Sequence, residues 1–166
     1  TQGVKFRSYN TATATFAEEL GMIPVQVEAA ELSQALATGV AESFISSGST
    51  GYDRKVWEHL THYYKVNAWL PRNYVMVNKG VWEGLGSDVQ VNIQKAADET
   101  GAACAAKSAE LANWYFEQLE ANGMKVEDAG PEFLAELEAI GAKMKADWLS
   151  EVGADGQAIL DAYNAN

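Results

Sequence analysis

Residues 4–47 switch back and forth between two hydrophobic periods, and that switching limits the folds open to this chain. Val4 to Arg7 (VKFR) alternates apolar and polar residues, the period of a strand. Asn10 or Thr11 then supplies a side-chain oxygen to cap a helix carrying Ala14, Phe16, Ala17 and Leu20, and Gly21 stops it. IPVQVE follows as a second strand, with Pro24 placed where a missing N–H does least harm. AAELSQALATG reads as a second helix, with Leu32, Ala35 and Leu36 on one face and Gly39 as its stop. AESFISS is a third strand and SGSTGYD a turn. Strand, helix, strand, helix, strand at this spacing predicts βαβ units, a parallel sheet and an α/β fold.

Past residue 53 the pattern changes. RKVWEHLTHYY reads as a short aromatic helix, and KVNAWLP and NYVMVNKGVW as extended runs parted by Pro71 and Arg72. From Ser87, a candidate N-cap, a helical pattern continues to about Asn122. At 1.5 Å per residue this makes a rod of roughly 50 Å, longer than one small lobe requires. Gly101 interrupts the pattern and marks an expected kink or change of packing partner. GMKVEDAG is a short strand, and Pro131 opens a further helix at a favoured first-turn position. A last helix runs into a polar tail, AYNAN, that is expected to fray.

Charge narrows the function. Twelve basic residues against 23 acidic ones leave a net charge of −11 over 166 residues, 48% of which are hydrophobic, enough for one domain with a real core. So negative a surface repels phosphate backbones and anionic lipid heads, and no nucleic-acid partner is expected. No apolar run approaches the roughly 20 residues of a membrane helix. The opening TQGVKFR has neither the basic start nor the apolar stretch of a signal peptide, which fits a cytosolic chain, a mature secreted chain or a fragment. Cys104, in the small-residue run TGAACAAKSAE, is expected as a packed helix neighbour rather than a nucleophile.

Parallel sheets of this kind bind ligands beyond the carboxyl ends of their strands. Arg7 closes the first strand there, Ser46 and Ser47 close the third, and Ser8, Asn10 and Thr11 follow Arg7 where a helix start leaves N–H donors free. A guanidinium forks onto a carboxylate through two parallel hydrogen bonds and stays charged at any working pH. Position alone leaves two readings open for Arg7: a clamp for an organic acid, or an ion pair with a glutamate on a neighbouring element. His59 and His62 are three apart in the predicted aromatic helix but lack a clear third ligand, so zinc is not expected. HExxH, CxxC and GxSxG are absent, and GSTGYDRK lacks the GK[ST] ending of a phosphate loop. Neither an enzyme nor a cofactor is expected. Trp57, Trp82, Trp114 and Trp148 lie in helical patterns and read as packing. Trp69, in the extended NAWLPRN, reads either as core or as the wall of a pocket.

Taken together, GVKFR, the later GMIP, and ELSQALATGVAE resemble the solute-binding proteins of tripartite ATP-independent periplasmic (TRAP) transporters of the dicarboxylate-binding type. VNAWLPRNYVMVNKGVWEGL, followed by a long alanine-rich helix, is similar to the same family, so the resemblance covers nearly the whole chain. It implies a two-lobed receptor that closes over a small carboxylate, in the periplasm, and passes it to membrane permease subunits. It places the ligand salt bridge on Arg7 and a further contact on Asn10. The ligand contact at the end of the third strand falls on Ser46, with Ser47 beside it, where sialic-acid-binding members often carry asparagine. Ala29 stands where some relatives set an aromatic against the ligand, which leaves Trp69 as the candidate wall and Asn73 as a further donor. Members of the family are about twice as long. The chain is therefore expected to be a truncated receptor: residues 1–70 the ligand-binding lobe, and residues 71–166 the return strand, the long spanning helix and C-terminal helices that pack on a missing first lobe. Surfaces left bare in this way predict self-association. Two other readings compete: the effector-sensing domain of a bacterial regulator, which would need a DNA-binding helix pair, and an inert self-associating fragment.

Overall fold

Three parallel strands form the centre of the computed structural model, which describes residues 1–69 and 73–165. They are β1 (Lys5–Ser8), β2 (Ile23–Gln26) and β3 (Ser43–Phe44), in the order β2-β1-β3. The connections are α1 (Thr11–Glu19) and, after a 3₁₀ turn at Ala29–Glu31, α2 (Leu32–Ala37). Both helices end where expected, and Gly21 and Gly39 take the positive φ (69° and 68°) that other residues adopt only with strain. The expected third strand shrinks to two residues. Beyond Phe44 the chain leaves the sheet, because the Ser47 hydroxyl accepts from the Thr50 N–H at 3.3 Å and starts α3 (Gly48–Asp53).

Alternation along β1 divides the core in two. Phe6 packs with Phe16, Ala17 and Leu20 of α1 and with Leu137 and Ile140 of α6 (Pro131–Val152). On the other face, Val27, Leu32, Leu36, Ala41, Val56, Leu119 and Met124 form a second cluster, against which Val25 and Phe44 pack. Val25 and Phe44 are the register partners of Arg7. Ser43, in register with Phe6, buries its hydroxyl without a hydrogen-bond partner among the described residues. Such an orphan costs about 1–3 kcal/mol. Ser43→Ala should therefore raise the unfolding midpoint by a few degrees in scanning calorimetry, about 2–4 °C per kcal/mol at this size. A lower midpoint would contradict it.

Five sequence expectations give way past residue 53. The aromatic segment is not one helix. Lys55 adopts a left-handed conformation (φ 48°) and breaks it, leaving a 3₁₀ turn at Val56–Glu58 and a strand, β4 (His62–Lys65). β4 pairs in parallel with β5 (Lys125–Asp128), a long-range partner that favours the extended form for Tyr63 and Tyr64. His59 and His62 thus share no helix face. Residues 73–78 pair with no strand among the described residues. They run exposed into α4 (Lys79–Glu83), which the Asn78 side chain caps by accepting from the Val81 N–H at 3.2 Å. The long helix, α5 (Ser87–Ala121), continues through Gly101 without interruption, and its N-cap is Gly86, one residue before the expected Ser87. Among the described residues nothing outside the helix's own backbone lies within 4 Å of the position of a Gly101 Cβ, so no neighbour there imposes a kink. Cys104 is exposed on this helix rather than packed, because no element among the described residues covers the small-residue run. Leu119 is the one buried residue of α5. After Pro131 at its N-terminus, α6 turns at Gly153 into α7 (Ala154–Asn164). Pro71, Arg72 and the last residue of the tail lie outside the described residues.

Candidate functional site

The carboxyl end of β1 holds the one buried charged side chain among the described residues. Arg7 is only 4% exposed. Its Nε–H donates to the Val27 carbonyl at 2.8 Å, and the guanidinium carbon lies 4.9 Å from the centre of the Tyr9 ring. Among the described residues it has no carboxylate in ion-pair range, and its Nη groups donate to no protein acceptor. The glutamate pairing left open by the sequence is therefore not found. Burial pushes the Arg7 pKa below its ordinary value, while Tyr9 and Glu28 act in the opposite direction.

The loop after Arg7 is locked. Asn10 caps α1: its Oδ1 accepts from the Thr13 N–H at 2.9 Å. In return the fully buried Thr13 Oγ1 accepts from the backbone N–H of Asn10 at 3.2 Å and of Tyr9 at 3.1 Å. The Asn10 oxygen is thus committed to the helix, and its amide Nδ2 is left to donate outward. Ser46 is half-buried, and its hydroxyl bonds to no protein group among the described residues. Ser47 is exposed and caps α3, with its Oγ 2.7 Å from that of Ser49.

The other two candidates stand apart. Trp69 lines a groove of about 440 Å³ with Phe16, Leu137, Met144 and Trp148, on the α1–α6 side of the sheet. Arg7 does not line that groove. Asn73 is exposed and belongs to no strand. Three residues escaped the sequence reading: Tyr9, Val27 and Thr13. Only Thr13 left a signal there, as the third residue after a capping asparagine. Among the described residues no group of three or more His, Cys, Asp or Glu is placed to hold a metal, and no helix is long and apolar enough to cross a membrane.

The sequence model of bacterial extracellular solute-binding proteins of family 7 (DctP) matches residues 1–151. The chain belongs to this family. Its members are binding proteins of transporters, not a family of enzymes. A C4-dicarboxylate-binding periplasmic protein, DctP of Rhodobacter capsulatus, is 33% identical over 81 residues, 49% of this chain and 24% of that protein. Among solved structures, a marine metagenome TRAP solute-binding protein specific for pyroglutamate, in complex with co-purified pyroglutamate, is 82% identical with a TM-score of 0.96. DctP6 of Bordetella pertussis, an extracytoplasmic solute receptor binding pyroglutamic acid, is 43% identical with a TM-score of 0.97. The comparison covers 99% of this chain in both cases, and 54% and 55% of the solved chains. This chain thus spans about half the length of those relatives. Its fold is the α/β second lobe of a periplasmic-binding-protein architecture, with the long spanning helix and the C-terminal helices.

Proposed function

We propose that this chain grips a small cyclic organic acid of the pyroglutamate class through Arg7, in the periplasm, for uptake by the permease subunits of a TRAP-type transporter. The observation that carries the reading is a buried cation at a strand end that meets no carboxylate of its own protein among the described residues. A cation so placed is only partly compensated, by the Val27 carbonyl and the Tyr9 ring, and an anion arriving from outside supplies the missing ion-pair partner. The pyroglutamate receptors at 82% and 43% identity support the choice of acid. Pyroglutamate offers one carboxylate to the guanidinium, and a lactam N–H and C=O to short polar groups. In this reading Asn10 Nδ2 and the hydroxyls of Ser46 and Ser47 meet those groups, while Trp69 and Asn73, which stand apart from Arg7, reach the ligand only if the segment leading out of the lobe moves toward it. Residues 1–70 make up the ligand-binding lobe, and residues 71–166 carry the chain toward a first lobe; the function is capture without turnover. Isothermal titration with pyroglutamate beside succinate and orotate tests it. Pyroglutamate should bind most tightly, and silence across the panel would favour the inert fragment.

The same chain on its own is proposed to self-associate. Tyr74, Val75, Met76 and Val77 are consecutive and all more than half exposed, and Val81, Val89, Val91 and Ile93 extend the apolar surface. Bare apolar runs of this length drive association. Light scattering at micromolar concentration should give more than the monomer mass, and the double variant Val75→Asp, Val77→Asp should bring it down. A clean monomer before substitution would contradict the proposal.

A further inference from the structure

We infer that Tyr9 is a positioning residue that sets the plane of the Arg7 guanidinium, so that the ligand carboxylate is gripped end-on by the two Nη groups; this rests on the binding reading above. A guanidinium offers a carboxylate two forked edges: side-on, using Nε with one Nη, or end-on, using both Nη groups. The Val27 carbonyl takes the Nε–H at 2.8 Å and so removes the side-on edge. Among the described residues, the end-on pair has no protein acceptor. One hydrogen bond still leaves the plane free to rock about it. The Tyr9 ring, 4.9 Å from the guanidinium carbon, closes one face and stops that motion. Tyr9 is itself held, since its backbone N–H donates to the fully buried Thr13 at 3.1 Å. The order of support runs from Thr13 to Tyr9 to Arg7 to ligand, and the ring acts through the arginine rather than on the acid.

Two variants and two readouts test this. Tyr9→Phe keeps the aromatic face, while Tyr9→Leu keeps apolar bulk and removes it. In titrations with pyroglutamate, Tyr9→Leu should weaken binding on the order of tenfold and Tyr9→Phe by less than about twofold. In an Arg7→Lys background, Tyr9→Leu should add nothing. The second readout needs no ligand. Of the three arginine Nε–H signals in a ¹⁵N–¹H spectrum, the one that vanishes in Arg7→Lys belongs to Arg7. Tyr9→Leu should move it and speed its exchange with water, and Tyr9→Phe should leave it in place. An Arg7 signal indifferent to Tyr9→Leu overturns the inference, as does equal loss of affinity in the Phe and Leu variants, which would mean that the hydroxyl touches the ligand. A wild-type chain that ignores pyroglutamate while the Arg7 signal follows the ring overturns the functional reading and leaves the positioning role standing.

Discussion

Arg7→Ala is expected to weaken pyroglutamate binding by a factor of about thirty to several thousand. Truncating one partner of a buried, hydrogen-bonded charge pair costs about 2–5 kcal/mol, much of it the penalty on the carboxylate left unpaired. The fold itself should barely notice. Removing the side chain relieves the desolvation of a cation that has no carboxylate partner among the described residues, but it orphans the Val27 carbonyl that accepts from Nε. These terms oppose each other and are of similar size, so the unfolding midpoint without ligand should move by no more than a few degrees. Loss of binding at an unchanged midpoint separates a ligand clamp from a structural arginine. Wild-type affinity in Arg7→Ala would refute the clamp; a collapse of the midpoint would assign the side chain to the fold.

Leu119→Ala should cost about 2–5 kcal/mol of stability, read as a lower midpoint in urea with an unchanged slope. Leu119 is completely buried and is the only buried residue of the 35-residue α5. It fits against α3 where Gly51 carries no side chain: a Cβ there would sit 3.5 Å from a Leu119 methyl and 3.5 Å from Val56. It also belongs to the cluster that joins α2, Val56 and Met124. Shortening it opens a cavity bordered by two helices and a strand end, which cannot all collapse at once. Val91→Ala, on the same helix but 66% exposed, should fall within about 0.5 kcal/mol of wild type. Equal effects in the two variants would show that the last turn of α5 does not anchor it.

The first 44 residues were legible because their apolar periods change where the elements change, and because Gly21 and Gly39 punctuate the helices. Arg7 was legible too, as the polar end of an apolar strand. Its environment was not. The stacking on Tyr9 and the bond to Val27 depend on a rotamer and on a partner twenty positions away, and neither leaves a periodic trace. The segment from Arg54 to Tyr64 misled for a related reason. Trp57, Leu60 and Tyr64 fall at helical spacing, but a left-handed Lys55 and pairing with residues 125–128 outweigh local preference. At Cys104 the small residues suggested a packed helix neighbour and at Gly101 a kink or a change of packing partner, yet either needs an opposing surface, and nothing local in the chain says whether one is there.

The parallel ladder of β4 and β5 bears on the order of assembly. His62 meets Lys125, so the ladder ties together positions more than 60 apart. Closing a flexible loop of that size costs about 4 kcal/mol in chain entropy, against a ladder of only four residue pairs. Forming α5 beforehand does not remove that cost, because the rest of the loop must then double back along a stiff span of roughly 50 Å. The nascent polypeptide should therefore seal this seam last, and slow steps in its maturation belong here rather than in the central sheet.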